Sequence, residues 1–195
     1  MTRDLAERRG IETQVYGAAE DSQLLAEAAI ETVEEEWTVL DCGTGSGYVG
    51  ETIGATGARV IASDLNPHAC EQARGRGLEA VRGNLLEPFC ADVFDLAVFN
   101  PPYLPTDPEN EWDDWMEVAL SGGESGRAVI EPFLDSVGRV LTSEGIVLLL
   151  VSSLTGFETV IDRAKKVGFS TTTVAEESFP FETLSVLKLV QGDSR

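Results

Sequence analysis

The sequence predicts an α/β fold: a doubly wound, mostly parallel sheet of seven strands with helices on both faces. Two observations carry this. Short apolar runs rich in Val, Ile and Leu, bounded by Gly, Asp or Asn, alternate with helical stretches along most of the chain. Such alternation buries each strand on both sides and favours parallel pairing. Near the C-terminus the pattern changes to two β-rich runs parted only by "FPFE", which predicts an antiparallel partner strand.

Taken in order, "SQLLAEAAIETVEE" (22–35) reads as a helix and "TVLDCG" (38–43) as the first buried strand. A helix is expected over 48–57, then a strand at "ARVIASD" (58–64) and a helix over 66–77. Strands follow at "LEAVRGN" (78–84), expected at the sheet edge, and at "FDLAVFN" (94–100). A helix over 125–142 leads to "GIVLLLVSS" (145–153), and another over 157–168 leads to "FSTTTVAEES" and "TLSVLKLV". No repeat, linker or low-complexity block divides the chain, so residues 1–195 are expected to form one domain.

Charge and cysteine usage narrow the class. Lys and Arg total 14 against 34 Asp and Glu, a formal net charge of -20, and the lysines are Lys165, Lys166 and Lys188 alone. The acids are spread along the chain. Such a surface resembles that of proteins from salt-loving archaea, and in dilute salt it repels nucleic acid. There is no apolar run long enough to span a membrane and no leader at the charged start, so a cytoplasmic location is expected. Cys42, Cys70 and Cys90 share no metal-ligand spacing, and His68 has no catalytic neighbour, so no metal site is expected.

"VLDCGTGSGYVG" (39–50) is a strand, a glycine-rich turn and a helix start. Gly43, Gly45 and Gly47 allow a sharp turn and close approach of a ligand. A dinucleotide fold opens in the same way. Asp41, directly before the glycines, can meet an ammonium group. Asp64 ends the next strand, where an acid can accept two hydrogen bonds from a ribose diol. Asn84 ends the third, placed for an adenine edge. Together these features resemble the class I S-adenosylmethionine (SAM) methyltransferases. Thr44, Leu65 and Leu85, beside these positions, join the implied cofactor site, and S-adenosylhomocysteine is the implied product.

The fourth strand ends in Asn100-Pro101-Pro102-Tyr103. A planar amide or exocyclic amino nitrogen is a poor nucleophile because its lone pair is delocalised. The Asn100 side-chain oxygen can accept one of its N–H groups and the Pro101 carbonyl the other, while Tyr103 can stack on the plane. The two prolines make the acceptors rigid before reaction begins. This turn is the signature of methyltransferases that act on planar NH2 groups: adenine N6, cytosine N4 and glutamine side chains.

Over roughly residues 14–190 the chain is similar to the HemK family, in its archaeal and eukaryotic branch. Tyr16, Glu20, Asp21 and Ser22 match the branch's Tyr and Glu-Asp-Ser/Thr pattern, "LSGGESGRAVIEPFL" (120–134) its Gly-Gly-x-x-Gly-Arg segment and "ETLSVLKL" (182–189) its last strand. The resemblance implies that Glu20, Asp21 and Ser22 belong to the cofactor site, with Tyr16 and Ser22 closing over it. It implies methylation of the glutamine in the Gly-Gly-Gln loop of class 1 translation release factors, and a small zinc-binding activator protein as partner, expected at the 78–84 edge. Two features depart from the pattern: Asn84 stands where many relatives have Asp, and the loop 106–118, with Trp112 and Trp115, is unusually acidic. Bacterial members of the family carry a separate helical domain before the catalytic one; with only about fifteen residues before Tyr16, substrate docking is expected to come from elsewhere. Adenine N6-methylation of DNA or RNA, lysine methylation, and a non-catalytic scaffold are the competing readings. The missing basic patches, the Asn/carbonyl acceptor pair, and the intact Asn100 and Asp64 argue against them in turn.

Overall fold

A computed structural model describes residues 20–104 and 120–192. The elements in chain order are α1 (Glu20–Thr32), β1 (Thr38–Cys42), α2 (Tyr48–Gly54), β2 (Arg59–Asp64), α3 (Pro67–Gly75), β3 (Glu79–Arg82) and β4 (Phe94–Phe99). They are followed by α4 (Ile130–Val140), β5 (Leu141–Ser152), a 3-10 turn (Ser153–Thr155), α5 (Phe157–Lys166), β6 (Phe169–Phe179) and β7 (Glu182–Gln191). The seven strands form one sheet in the order β3-β2-β1-β4-β5-β7-β6. β7 lies antiparallel to both β5 and β6, and every other pairing is parallel. The expected doubly wound sheet with one reversed C-terminal strand is therefore the observed one, and β3 is an edge strand.

Successive strand residues alternate between the two faces, as the pleat requires. Val39, Val98, Leu148 and Val186 pack with Leu24, Leu25 and Ile53 beneath α1 and α2. Their neighbours Leu40, Phe99, Leu149 and Leu187 pack with Phe133, Leu134 and Val160 beneath α4 and α5. The Phe99 and Phe133 rings lie 4.5 Å apart, centre to centre, and both are fully buried. Phe133→Ala would cost about 3–5 kcal/mol by opening a cavity on that face.

Most element ends fall within three residues of the sequence reading, with β3 ending at Arg82 and Asn84 in the loop after it, and two differ by more. The helix expected from residue 125 begins at Ile130, because Gly126 takes a positive φ of 71° that ends any helical path. The strand expected from 145 begins at Leu141, where a register shift lets Leu141 pair with Phe94. Among the described residues no helix is long and apolar enough to cross a membrane, and no cluster of His, Cys, Asp and Glu could hold a metal ion.

Candidate active site

The strand order reverses at β1, whose neighbours β2 and β4 run out to opposite sides of the sheet. In an open parallel sheet the crevice at such a point, outside the carboxyl ends of the strands, is where ligands bind. A pocket lies there. Its walls come from the β1 turn, the ends of β2 and β4, the loop after β3 and the first turn of α1.

Asp41 lines this pocket and is 3% exposed. Its Oδ2 accepts hydrogen bonds from Thr44 Oγ1 at 2.5 Å and from the Gly50 N–H at 3.0 Å. Burial pushes its pKa up to about 6; the Thr44 and Gly50 bonds oppose this and nearby Asp64 adds to it. Helix α2 starts so close that a Cβ on Gly50 would come within 2.8 Å of that same carboxylate oxygen. At Gly47, where φ is 80°, a Cβ would meet the α3 backbone at Ala73, 3.1 Å away. Gly43 and Gly45 also carry positive φ, and with Thr44 they line the pocket floor.

Asp64 accepts from the Gly45 N–H at 3.0 Å and the Asn66 N–H at 2.8 Å, so the β2 acid and the β1 turn hold one another. Burial raises its pKa as well. Leu65 and Leu85 both line the pocket, Leu65 with 45% of its surface exposed and Leu85 at a positive φ of 45°. Asn84 lines it too, and its Nδ2 donates to Glu87 at 3.0 Å. A buried and a half-buried carboxylate facing one crevice fit a ligand that carries positive charge and a ribose diol, as SAM does.

The proline turn closes one end of the pocket. Asn100 Nδ2 donates to Ser22 Oγ at 3.4 Å, while Asn100 Oδ1 is buried with no hydrogen-bond partner. A buried acceptor left unpaired costs about 1–3 kcal/mol, so its retention points to a ligand that supplies the donor. Pro102 lines the pocket and Pro101 is buried behind it.

Tyr103 is placed differently from an exposed stacking platform. Its ring is 4% exposed and packs in the α1 face of the core, and its hydroxyl donates to Asp21 Oδ2 at 3.2 Å. Asp21 Oδ1 in turn accepts from the Ser22 N–H at 2.7 Å. Asp21 and Tyr103 thus form a buried latch beneath the pocket, and Ser22 carries that latch to Asn100. Glu20 is exposed at the head of α1, outside the pocket lining. Tyr16 and the 106–118 loop lie outside the described residues.

Sequence reasoning named both ends of the latch and missed that they touch, since nothing in the 82-residue separation signals a contact. It also missed the role of the 120–127 segment. There the Leu104 N–H donates to Leu120 O and the Gly122 N–H to Leu104 O, clamping the chain that leaves the proline turn. A Cβ on Gly126 would lie 2.7 Å from the Tyr103 carbonyl oxygen. Arg127 Nη1 donates to Thr155 O, the last residue of the 3-10 turn after β5.

The family described as a methyltransferase domain matches residues 40–110. A Methanocaldococcus jannaschii protein, provisionally named protein N5-glutamine methyltransferase, is 32% identical over 89% of this chain and 90% of its own. The methyltransferase HEMK2 of Homo sapiens is 32% identical over 94% and 93%. Among solved structures, the E. cuniculi Mtq2-Trm112 complex responsible for methylation of the eRF1 translation termination factor superposes with a TM-score of 0.78. That match is 30% identical and covers 92% of this chain and all of the other. Sheet topology and pocket together define a class I SAM-dependent methyltransferase. Within that class, the chain belongs to the HemK family.

Proposed function

We propose that the chain methylates the side-chain amide nitrogen of the glutamine in the Gly-Gly-Gln motif of a class 1 translation release factor. The observation that carries this is Asn100 Oδ1, a buried acceptor without a partner at the pocket end of β4. A glutamine carboxamide is planar and has two N–H donors. Asn100 Oδ1 accepts one and the Pro101 carbonyl the other, which holds the nitrogen lone pair toward the methyl donor. SAM supplies an electrophilic methyl on a sulfonium centre. The nitrogen sheds its proton only after it has gained the methyl, so no side chain has to act as a base first. A glutamate would offer neither donor and would leave both acceptors unpaired, at about 1–3 kcal/mol each.

Asp64 is assigned to the ribose, Asn84 to the adenine edge, and Asp41 with Gly43 to the amino-acid end, with Ser22 and Tyr16 closing over them. The relatives' names support the substrate class, and the E. cuniculi complex supports an activator partner. We assign a small zinc-binding activator to the exposed edge at 78–84, where β3 leaves one side unpaired. The reading treats residues 1–195 as one catalytic domain acting on a translation factor in the cytoplasm.

The test is mass spectrometry of the release factor after incubation with the enzyme, its activator and labelled SAM. One methyl group on the Gly-Gly-Gln glutamine is expected. Asn100→Ala should abolish transfer while SAM affinity changes little. Labelling of lysine, or of adenine in nucleic acid, in place of glutamine would overturn the assignment.

A further inference from the structure

We propose that the tip of the β6–β7 hairpin, with the neighbouring 3-10 turn, forms the docking surface for the body of the protein substrate. This deepens the glutamine-methyltransferase reading and rests on it. The hairpin turns at Pro180 and Phe181, and Phe181 is 89% exposed. Turn positions ordinarily favour Gly, Asn, Asp or Ser, so an aromatic ring held out there meets no local need of the turn.

The tip is tied to the end of β5. Ser152 Oγ donates to Glu182 Oε1 at 2.7 Å and the Thr183 N–H donates to Ser153 Oγ at 3.0 Å. These bonds set the hairpin beside Leu154, which is 41% exposed. From there the path to the catalytic turn is short. Thr155 follows Leu154, its Cγ2 lies 3.1 Å from the position of a Gly126 Cβ, and that same position is 2.7 Å from the Tyr103 carbonyl.

Strand register sets the height. Phe99, the last residue of β4, is level with Leu149 and so with Leu187. β7 begins at Glu182, so the hairpin continues past the end of β4 for five residues, on the side where the pocket opens. At about 3.3 Å per residue that is roughly 16 Å. A loop entering the pocket would bring its parent protein against this post.

Charge points to the chemistry of that protein. From Phe169 to Leu187 there is no Lys or Arg, while Glu176 and Glu177 are exposed on the outer strand. An aromatic anchor within an acidic fringe fits a partner whose surface beside the glutamine loop pairs an apolar patch with basic residues. The hairpin lies on the sheet edge opposite β3, so an activator seated on β3 leaves it free.

The test compares two substrates of the enzyme–activator complex: the whole release factor and a short peptide carrying its Gly-Gly-Gln glutamine. Phe181→Ser and Leu154→Ser change exposed side chains, so both variants should fold. KM for the whole factor should rise about tenfold in Phe181→Ser and by less in Leu154→Ser, the scale of losing an interface anchor. Turnover of the peptide and the Kd for SAM should not change. An equal loss on the peptide, or no loss on either substrate, would overturn the docking surface. So would loss of the activator or of self-association in Phe181→Ser. If the unaltered complex methylates glutamine in neither substrate, the failure lies with the substrate assignment itself.

Discussion

At the scale of single residues, burial does two kinds of work in the pocket. It leaves Asn100 Oδ1 waiting for a donor, and it makes Asp41 a reluctant anion. With its pKa raised from 3.8 to about 6, the native state holds a proton that the unfolded chain has released between those values. The stability tied to that proton is fully present below 3.8 and is lost as pH rises through about 6, a change of about 3 kcal/mol. A cationic ligand has the opposite preference, since it binds the ionised carboxylate. SAM affinity should therefore be flat above pH 7 and fall about tenfold between pH 7 and 5. Calorimetry across that range checks it, with Asp41→Asn expected to bind weakly and to lose the pH slope. An Asp41→Asn variant that kept the slope would assign the titration elsewhere, with Asp64 the next candidate because its pKa is raised in the same direction. The glycines and acids lining the pocket could be named from the sequence because each lies in or just after the carboxyl end of a strand, and strands were visible as apolar runs. The orientation of Tyr103 could not, because its ring is turned inward by a carboxylate 82 positions away.

Among elements, the segment 120–127 holds the proline turn in place. It pairs with Leu104 on both sides, it brings Gly126 against the Tyr103 carbonyl, and through Arg127 it bonds to the 3-10 turn that follows β5. Gly126→Ala would strain a residue whose φ is 71°, at about 1–2 kcal/mol, and would push a methyl toward a carbonyl 2.7 Å away. The expected outcome is a kcat at least tenfold lower with SAM affinity little changed, because the displaced backbone carries the proposed acceptors, while Asp41, Asp64 and the glycine turn stand on β1 and β2. Stopped turnover with intact SAM binding in calorimetry checks it. Equal weakening of both would mean that the clamp supports the whole crevice. The periodicity of the sequence ran a helix through this segment from residue 125, since Ala128, Val129 and Ile130 continue the α4 pattern without a break. Only backbone geometry, a positive φ and a carbonyl within touching distance, shows that these residues serve the turn.

On the scale of the whole molecule, the seven strands, the reversed last one and the edge place of 78–84 were legible, because each buried strand advertises itself in β-branched and aliphatic residues; the rest of the strand order comes from the structure. The chain's partners were less so, since surfaces carry no periodic signal. Its charge, however, is a property that needs no contact to be read. Four ion pairs hold the described residues: Arg59–Glu79, Arg76–Glu51, Arg127–Glu131 and Arg163–Asp135. Each has at least one partner more than 40% exposed, and such pairs are worth about 0–1 kcal/mol apiece. Screening them away costs little. Against that stands a net charge of -20 on one chain, whose self-repulsion opposes the compact state. Raising KCl from about 0.1 M to about 1 M shortens the screening length from about 10 Å to about 3 Å. The repulsive sum, spread over many long-range pairs, should fade more than the few contact pairs do. The melting temperature should then rise with added KCl, at about 2–4 °C for each kcal/mol of relieved repulsion in a chain of this size. Thermal melts of the purified complex across that range check it, and a melting temperature that fell steadily with KCl would show that the contact pairs, not the repulsion, govern stability.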